Sequence, residues 1–132
     1  MNNFNWVSWG FGAAGGFAGW FLGGLDGLTY ALIAFAAADY ITGVLCAIAT
    51  KTLSSEAGAR GIAKKVMIFV IVGMAHIIDT HLLDGGSALR TAAICFYLAN
   101  ESISLIENAA LIGLPVPKKL TDILAQINKE GK

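Results

Sequence analysis

The stretch LTYALIAFAAADYITGVLCAIAT, residues 28–50, decides the fold. It is almost entirely apolar, and Asp39 is its only charged residue. An α-helix rises about 1.5 Å per residue, so about 20 residues cross a hydrocarbon core of about 30 Å. The stretch is long enough for this, and we predict that residues 28–50 form a transmembrane helix.

The composition of the whole chain also indicates a lipid environment. Its 132 residues are 56% hydrophobic and only 14% charged, whereas soluble domains carry about 25% charged residues. The mean hydropathy is +0.67. Basic and acidic residues cancel, nine against nine, which argues against nucleic-acid binding because nucleic acid selects a basic patch. The sequence therefore predicts a single all-α membrane domain.

Three further apolar segments lie on either side of this helix. Residues 4–25 are rich in glycine, residues 66–83 carry histidine and aspartate in their second half, and residues 89–112 contain several polar side chains. We predict a helix in each segment, which gives an integral membrane protein with three to four transmembrane helices. The number depends on whether residues 4–25 cross the bilayer.

A polar tail follows Pro115 and Pro117. Its apolar residues recur at i, i+3, i+4 and i+7, which predicts a short amphipathic helix over residues 117–130; they are Leu120, Ile123, Leu124 and Ile127. Lysines flank this apolar face, as in helices that lie on the anionic inner leaflet. A cytoplasmic helix that packs on itself or on a neighbour is compatible with the same pattern.

Basic residues determine the predicted orientation. The segment between the second and third helices carries Lys51, Arg60, Lys64 and Lys65, and the tail carries further lysines. Basic residues close to membrane ends stay in the cytoplasm, so we expect a basic cytoplasmic loop here and a cytoplasmic C-terminus. The N-terminus is then cytoplasmic if there are four spans and outside if there are three.

Polar side chains form a stripe along the helix predicted over residues 89–112. At 3.6 residues per turn they fall within an arc of roughly 120°; they are Arg90, Tyr97, Asn100, Glu101, Ser104, Glu107 and Asn108. Charged groups in lipid are costly and face protein or water. We therefore expect this stripe to face water or a neighbouring subunit.

A shorter polar stripe on residues 28–50 begins at Asp39 and continues through Gly43, Cys46 and Thr50. Asp39 has two interpretations that the sequence leaves open. In one, it is a buried carboxylate satisfied by a neighbouring helix, for example through Arg90 or the Asn and Ser groups of the longer stripe. In the other, it faces water.

No arrangement of residues suggests a reaction or a cofactor. His76, Asp79 and His81 are of the types that bind zinc, but they lie near a helix end without a fourth ligand, and a polar membrane interface explains them. The serines lack a neighbouring base, and there is no nucleophile elbow or phosphate loop. Cys46 and Cys95 lie in apolar runs, where cysteine acts as a packing residue. We predict no enzyme, metal, cofactor or small-molecule substrate.

The run DYITGVLCAIATKTLSSEAGARGIAKKV resembles the signature of the phage holins of the toxin-secretion and lysis type, which include clostridial toxin-release holins. In that family a D-x-x-T-G motif precedes a loop rich in Ser, Gly and Lys. The corresponding residues here are Asp39, Thr42, Gly43, Ser54, Ser55, Gly58, Gly61, Lys64 and Lys65. A second block, NESISLIENAALIGLPVPKKL, is similar at Asn100, Glu101, Ser104, Glu107, Asn108, Gly113, Pro115 and Pro117. The resemblance covers about residues 23–124.

The resemblance implies a small phage- or prophage-encoded protein of the bacterial cytoplasmic membrane. Such proteins accumulate, form homo-oligomers and open lesions that release an endolysin, or in some bacteria a toxin, and the host cell lyses. An antiholin regulator is a further partner that the resemblance implies, and this chain could fill either role. The other partners expected are the chain itself and the lipid bilayer, and the sequence predicts neither a nucleic-acid partner nor a small-molecule substrate.

The residues also fit functions of other classes. A small transporter or ion-conducting subunit could use Asp39 and Glu101 as a proton or cation relay. A passive membrane scaffold would use neither residue. A holin lets a cytoplasmic enzyme cross the membrane, a transporter passes only small solutes, and a scaffold causes no leak.

The glycines of residues 4–25 share one face of the predicted helix. They are Gly12, Gly15, Gly16, Gly19 and Gly23, and they fall within an arc of roughly 100°. Their small-x-x-x-small spacing lets helix backbones approach closely in lipid. We therefore predict a helix-packing seam rather than a flexible linker, which meets either another helix of the same chain or a second subunit.

Overall fold

The computed structural model describes residues 3–130 of the chain, with side chains for residues 5–123, 125 and 126. Over these residues it is all-α, as predicted, and the helices follow one another without a strand. The helices are α1 (Asn3–Leu22), α2 (Gly27–Ala49), α3 (Ser55–Ile77), α4 (Ala88–Ile112) and α5 (Lys118–Glu130). A π-helical turn, Ile78–Leu82, continues α3.

Local signals explain where the helices begin and end. Asp26 caps the start of α2 by accepting a hydrogen bond from the backbone N–H of Thr29 at 3.0 Å. Ser54 caps α3 in the same way, because short polar side chains satisfy the unpaired N–H groups of a first turn. Gly113 ends α4 with φ of 102°, a left-handed conformation that glycine adopts without steric cost.

The third helix begins earlier than the sequence pattern indicates. The apolar segment starts at residue 66, but α3 starts at Ser55, so most of the predicted basic loop is helical. Ser54 provides the cap, and the polar turns that follow contain alanine, glutamate and lysine, which favour helix in any solvent. Lys65 consequently lies on a helix face rather than in a loop.

The helices pack around a small apolar core. Its buried members are Leu22, Leu32, Ile68, Val72 and Ile94, which come from α1, α2, α3 and α4. They lie in the half of the bundle that contains the end of α1 and the start of α4.

The end of α1 packs on α3 through a close approach at Gly73. Phe21 lies directly over this glycine, and a Cβ atom at position 73 would overlap its ring. The absence of a side chain at Gly73 therefore lets an aromatic ring of α1 touch the backbone of α3.

The predicted glycine seam does not meet another helix of the chain. At Gly12, Gly15 and Gly16, no described atom other than those of neighbouring residues and of the helix's own backbone lies within 4 Å of the position that a Cβ would occupy, and at Gly19 the nearest such atom belongs to Leu25 at 3.5 Å. Gly23 lies beyond α1, where its φ of 84° helps to end the helix, so it is a turn residue and not part of the seam. Packing of the remaining face on a second subunit stays a prediction.

Two helical stretches are long and apolar enough to cross a membrane among the described residues, Gly27–Ala49 and Ser55–Leu82. Helix length and composition therefore support two spans, and the number of three to four spans stays a prediction. The tail helix α5 exposes Leu120 and Ile123; the side chains of Leu124 and Ile127, which belong to the predicted apolar face, lie outside the described residues.

Candidate functional site

Lys65 joins three helices near the middle of the bundle. Its ammonium group forms ion pairs with Asp39 on α2 and with Glu101 on α4, the latter at 2.5 Å from Nζ to Oε2. Both carboxylates are buried, with exposed fractions of 7% for Asp39 and 5% for Glu101. We call Asp39, Lys65, Glu101 and Asn108 the Lys65 cluster.

Asn108 adds hydrogen bonds between α2 and α4. Its Nδ2 donates to Oδ1 of Asp39 at 3.0 Å and to the hydroxyl oxygen of Thr42 at 2.9 Å. The carbonyl oxygen of Asn108 accepts from the thiol of Cys46 at 3.2 Å. The side-chain amide of Asn108, in the second block, therefore connects this block to Asp39 and Thr42 of the D-x-x-T-G motif.

The cluster lies near the middle of α2. Asp39 is about 18 Å along the axis from Gly27 and about 15 Å from Ala49, at a rise of 1.5 Å per residue. If α2 crosses the bilayer, this carboxylate is near the middle of the hydrocarbon core, where charged groups need a partner. The cluster has two carboxylates for one ammonium group, so it carries a net negative charge when all three are ionised.

Two cavities reach the Lys65 cluster from different sides. One, of about 270 Å³, lies between α2 and the start of α3; the other, of about 720 Å³, is a groove between α3 and α4. Asp39, Lys65 and Ser104 line both of them. The ion pairs therefore separate two spaces that are large enough to hold water.

Small residues produce the smaller cavity. Gly43 on α2 and Gly58 and Gly61 on α3 contribute no side chains to its walls. Tyr40 crosses between these helices, since its hydroxyl donates to the carbonyl oxygen of Gly58 at 3.3 Å. Gly61 lies so close to the Tyr40 ring that a Cβ there would be 3.3 Å from it.

A second polar cluster surrounds Arg90 at the start of α4. The guanidinium group donates to the carbonyl oxygens of Leu22 at 2.5 Å and Gly24 at 2.9 Å. It also donates to the hydroxyl of Thr29 at 2.6 Å and to Oδ2 of Asp26 at 2.9 Å. Arg90 is 5% exposed, and its donors are matched by acceptors of the turn between α1 and α2. We call Asp26, Thr29, Asp79 and Arg90 the Arg90 cluster.

Asp79 fixes the start of α4 from the other side. It is 1% exposed, and its carboxylate accepts from the backbone N–H groups of Leu89 at 3.1 Å and Arg90 at 2.9 Å. Asp79 is therefore a helix-capping residue. His81 is exposed and His76 lies against Gly23. Among the described residues, no group of His, Cys, Asp and Glu side chains is arranged to hold a metal ion.

Electrostatics at Asp26 reflect its contact with Arg90. The hydrogen bond from the Arg90 side chain, together with the one from the backbone N–H of Thr29, holds the pKa of Asp26 well below its ordinary value. Asp26 is half exposed, so water screens this ion pair more than the pairs of the Lys65 cluster.

The structure brings only part of the predicted stripe of α4 to Asp39. Glu101, Ser104 and Asn108 meet Asp39, but Arg90 lies at the other end of the bundle, about 16 Å along α4 from Glu101. The cation beside Asp39 is Lys65 and not Arg90. Of the two interpretations of Asp39, the structure shows the buried carboxylate.

Tyr97 of the predicted stripe is partly buried against the apolar core, and the remaining predicted residues are on the surface. Asn100 and Glu107 are exposed on the groove between α3 and α4, as is Lys64. Arg60 pairs with Glu56 at 3.0 Å on the surface of α3, and Lys51 follows the end of α2 with φ of 58°.

Comparison with known proteins now adds to this geometry. A match to the bacteriophage holin family extends over residues 16–129. The chain belongs to the bacteriophage holin family. This confirms the resemblance found in the two sequence blocks, which now prove to be the segments that form the Lys65 cluster. Membership, with the two apolar helices, indicates a membrane protein with a holin role.

Three relatives are similar over most of the chain, and one of them is named as a probable holin. The chain is 38% identical over 129 residues to an uncharacterized 14.9 kDa protein of Clostridium perfringens, covering 98% of each. It is 43% identical over 115 residues to an uncharacterized protein of Listeria innocua, covering 87% of this chain and 79% of the relative. A probable holin of Bacillus phage phi105 is 39% identical over 93 residues, or 70% of this chain and 68% of that protein. No solved structure matches the chain.

Proposed function

We propose that this holin self-associates in the bacterial cytoplasmic membrane and opens lesions through which an endolysin, or a toxin, leaves the cell. The observation that carries the proposal is the Lys65 cluster, which places two buried carboxylates at mid-helix in a member of the holin family. One chain has too few long helices to enclose a channel that passes a folded protein. A lesion of that size therefore needs several copies.

The closed state is the one in which Lys65 forms ion pairs with both Asp39 and Glu101. In this state Glu101, Ser104 and Asn108 point at protein groups rather than at lipid or water. Opening separates α3 from the pair formed by α2 and α4, and the polar faces of these helices then line water. The two cavities beside Lys65 support this choice, because the packing of α3 is already interrupted there.

We propose a multi-pass topology with a cytoplasmic C-terminus. Lys51 and Arg60, which flank the start of α3, and the lysines of α5 remain in the cytoplasm under the positive-inside rule. In this topology α2 runs inward, α3 outward and α4 inward. The apolar face of α5 then lies at the inner leaflet or against a cytoplasmic neighbour.

Induced expression in bacteria tests the proposal. We expect growth to stop abruptly and a cytoplasmic enzyme to appear in the medium once an endolysin is supplied. An unrelated multi-pass protein, accumulated to the same level in the membrane, is the control and should release none.

The same experiment separates the competing functions. Release of ions and small solutes without the enzyme would favour an ion-conducting subunit, for which the cavities at the Lys65 cluster are the supporting observation. An antiholin would delay the release caused by a second holin and cause none itself. No leak of any kind would contradict the holin proposal.

A further inference from the structure

The groove between α3 and α4 carries opposite charges on its two walls. Lys64 projects from α3 and Glu107 from α4; both are exposed and both line the groove. Within the described part of the chain, neither forms an ion pair. The other cations that line the groove, Arg60 and Lys65, are already paired. The groove thus presents one cation and one anion that have no ion-pair partner among the described residues.

Lys64 and Glu107 lie along their helices where contact with lipid would be unfavourable for a charged group. Glu107 is about 8 Å along the axis from the end of α4, and Lys64 is about 14 Å from the start of α3. Charged groups within a membrane helix face protein or water. Apolar side chains also line the groove, among them Met67, which is exposed on α3, and Ile103 on α4.

We propose that a second copy of this chain covers the groove, so that Lys64 of each copy pairs with Glu107 of the other. This inference rests on the self-association proposed above and names the surface that carries it. In a twofold interface every contact occurs twice, and rotation about the membrane normal brings the basic wall of one copy to the acidic wall of the other.

The direction of the side chains supports the pairing. Side chains of an α-helix lean toward its N-terminus. Lys64 therefore leans toward the start of α3, and Glu107 leans toward the start of α4. Because α3 and α4 are antiparallel, the two side chains lean in opposite directions. The pair between Lys65 and Glu101 sets the register of the two helices, and Glu107 lies about 9 Å beyond Glu101 toward the end where α3 starts. The two side chains therefore lean toward each other's level.

A second copy fits this groove better than a lipid headgroup. An anionic headgroup would satisfy Lys64, but it would place a like charge beside Glu107, and juxtaposed like charges are strongly unfavourable. A copy of the chain supplies both signs at once and also buries the exposed Met67. The same contact would cover the groove that leads to the Lys65 cluster, so assembly and opening would share one surface.

Cross-linking of two differently tagged chains tests the contact directly. One chain carries Lys64→Cys and the other Glu107→Cys, both in a background with Cys46→Ser and Cys95→Ser, and membranes are treated with a short bismaleimide. The two substitutions remove only one of the two ion pairs of a twofold dimer. We expect a cross-linked species that carries both tags. It should be several-fold more abundant than in the matched control, in which Ile48→Cys, at an exposed position of α2, takes the place of one of the two cysteine substitutions.

Charge reversal in the otherwise unaltered chain provides the second arm. Lys64→Glu and Glu107→Lys should each lower self-association by roughly tenfold or more, because each sets like charges opposite one another. The double variant should regain most of it, and Lys118→Glu, a reversal on α5, should leave it unchanged. Membrane levels are matched, so a chain that fails to insert is recognised.

Several outcomes would overturn the inference. No species with both tags, or a double variant no better than the single ones, would contradict the contact. A third outcome would indicate that Lys64 binds an anionic headgroup instead. In that case Lys64→Glu lowers self-association, Glu107→Lys alone does not lower it, and the double variant does not restore it. If the reversals assemble and release enzyme as the original chain does, this surface is wrong while the holin proposal stands; if the original chain itself neither assembles nor releases enzyme, the proposed function fails.

Discussion

The Lys65 and Arg90 clusters bury charge in the same bundle in opposite ways. At Arg90, one guanidinium group meets two carbonyl oxygens, a hydroxyl and a carboxylate, and every contact ties the start of α4 to the turn before α2. At Lys65, one ammonium group serves two carboxylates, and cavities lie on two sides. The first cluster is saturated, and the second is not balanced in charge.

This difference indicates which part of the bundle is built to stay closed. A guanidinium group with a planar set of matched acceptors is held in one geometry, so the Arg90 cluster acts as a structural latch. The Lys65 cluster depends on a single flexible side chain at mid-helix. We expect separation of the helices to begin there, with α3 moving and the α2–α4 pair remaining together through Asn108.

Loss of the shared cation should have the largest effect. Lys65→Met leaves two carboxylates buried without a counter-charge, and removing one partner of a buried ion pair costs about 3–5 kcal/mol. We expect this loss in the free energy of unfolding in detergent, and less protein in the membrane fraction. Lys51→Met is the control, because Lys51 is exposed outside the cluster.

A triple variant shows whether charge is the cause. Adding Asp39→Asn and Glu101→Gln to Lys65→Met removes the unpaired carboxylates, so most of the lost stability should return. A Lys65→Met protein as stable as the original would mean that the cluster does not stabilise the bundle.

The Arg90 cluster should respond in a graded way. Arg90→Lys keeps the charge but cannot reproduce the planar set of donors. It should cost about 1–3 kcal/mol in the free energy of unfolding, through about two lost hydrogen bonds. The matched control is Arg60→Lys, which alters an exposed ion pair of negligible value. If the two substitutions lowered the free energy of unfolding equally, the Arg90 cluster would stabilise the bundle no more than an exposed ion pair.

The smallest effect concerns pH. The pKa of Asp26 is lowered from its ordinary value of 3.8 by Arg90 and by the N–H of Thr29, so this carboxylate stabilises the fold above about pH 4 and loses its contribution as the pH falls below that. Asp26→Asn retains the helix cap and removes the charge, at a cost of about 0–1 kcal/mol for a half-exposed pair.

Thermal unfolding in detergent between neutral pH and about pH 2.5 checks this expectation. The difference in Tm between the original chain and Asp26→Asn should be present at neutral pH and shrink as the pH falls. A difference that is constant over this range would contradict a role for the ionised carboxylate.

Helix α2 and the pairing of the two motif blocks were within reach of the sequence. An apolar run with one charge predicts a membrane helix by length and composition. The predicted stripe of α4 contains Glu101 and Asn108, but these two face Lys65 and Asp39 of the same chain rather than water or a neighbouring subunit. The start of α3 could not be predicted in this way, because hydropathy detects only the apolar half of a helix. Lys65 lies in the polar turns of α3, so the sequence pattern places it in a cytoplasmic loop.

The partners of charged residues were harder to predict than the elements. Nothing in a helical wheel distinguishes Arg90 from Lys65 as the cation beside Asp39, since the answer depends on how far each lies along its helix. The role of Asp79 was equally hidden, because a buried cap joins residues from two elements. A signal did exist for Asp26, since an aspartate three residues before a threonine at the start of an apolar run is typical of a helix cap.

The time of enzyme release from cells that express Glu101→Gln tests the central claim most directly. This substitution leaves one ammonium group opposite one carboxylate, so the closed state should be more stable and release should come later than with the original chain at equal membrane levels. Glu56→Gln, which removes an exposed carboxylate from the surface of α3, should release on the original schedule. Release at the original time, or earlier, in Glu101→Gln would contradict the account in which the Lys65 cluster holds this holin closed.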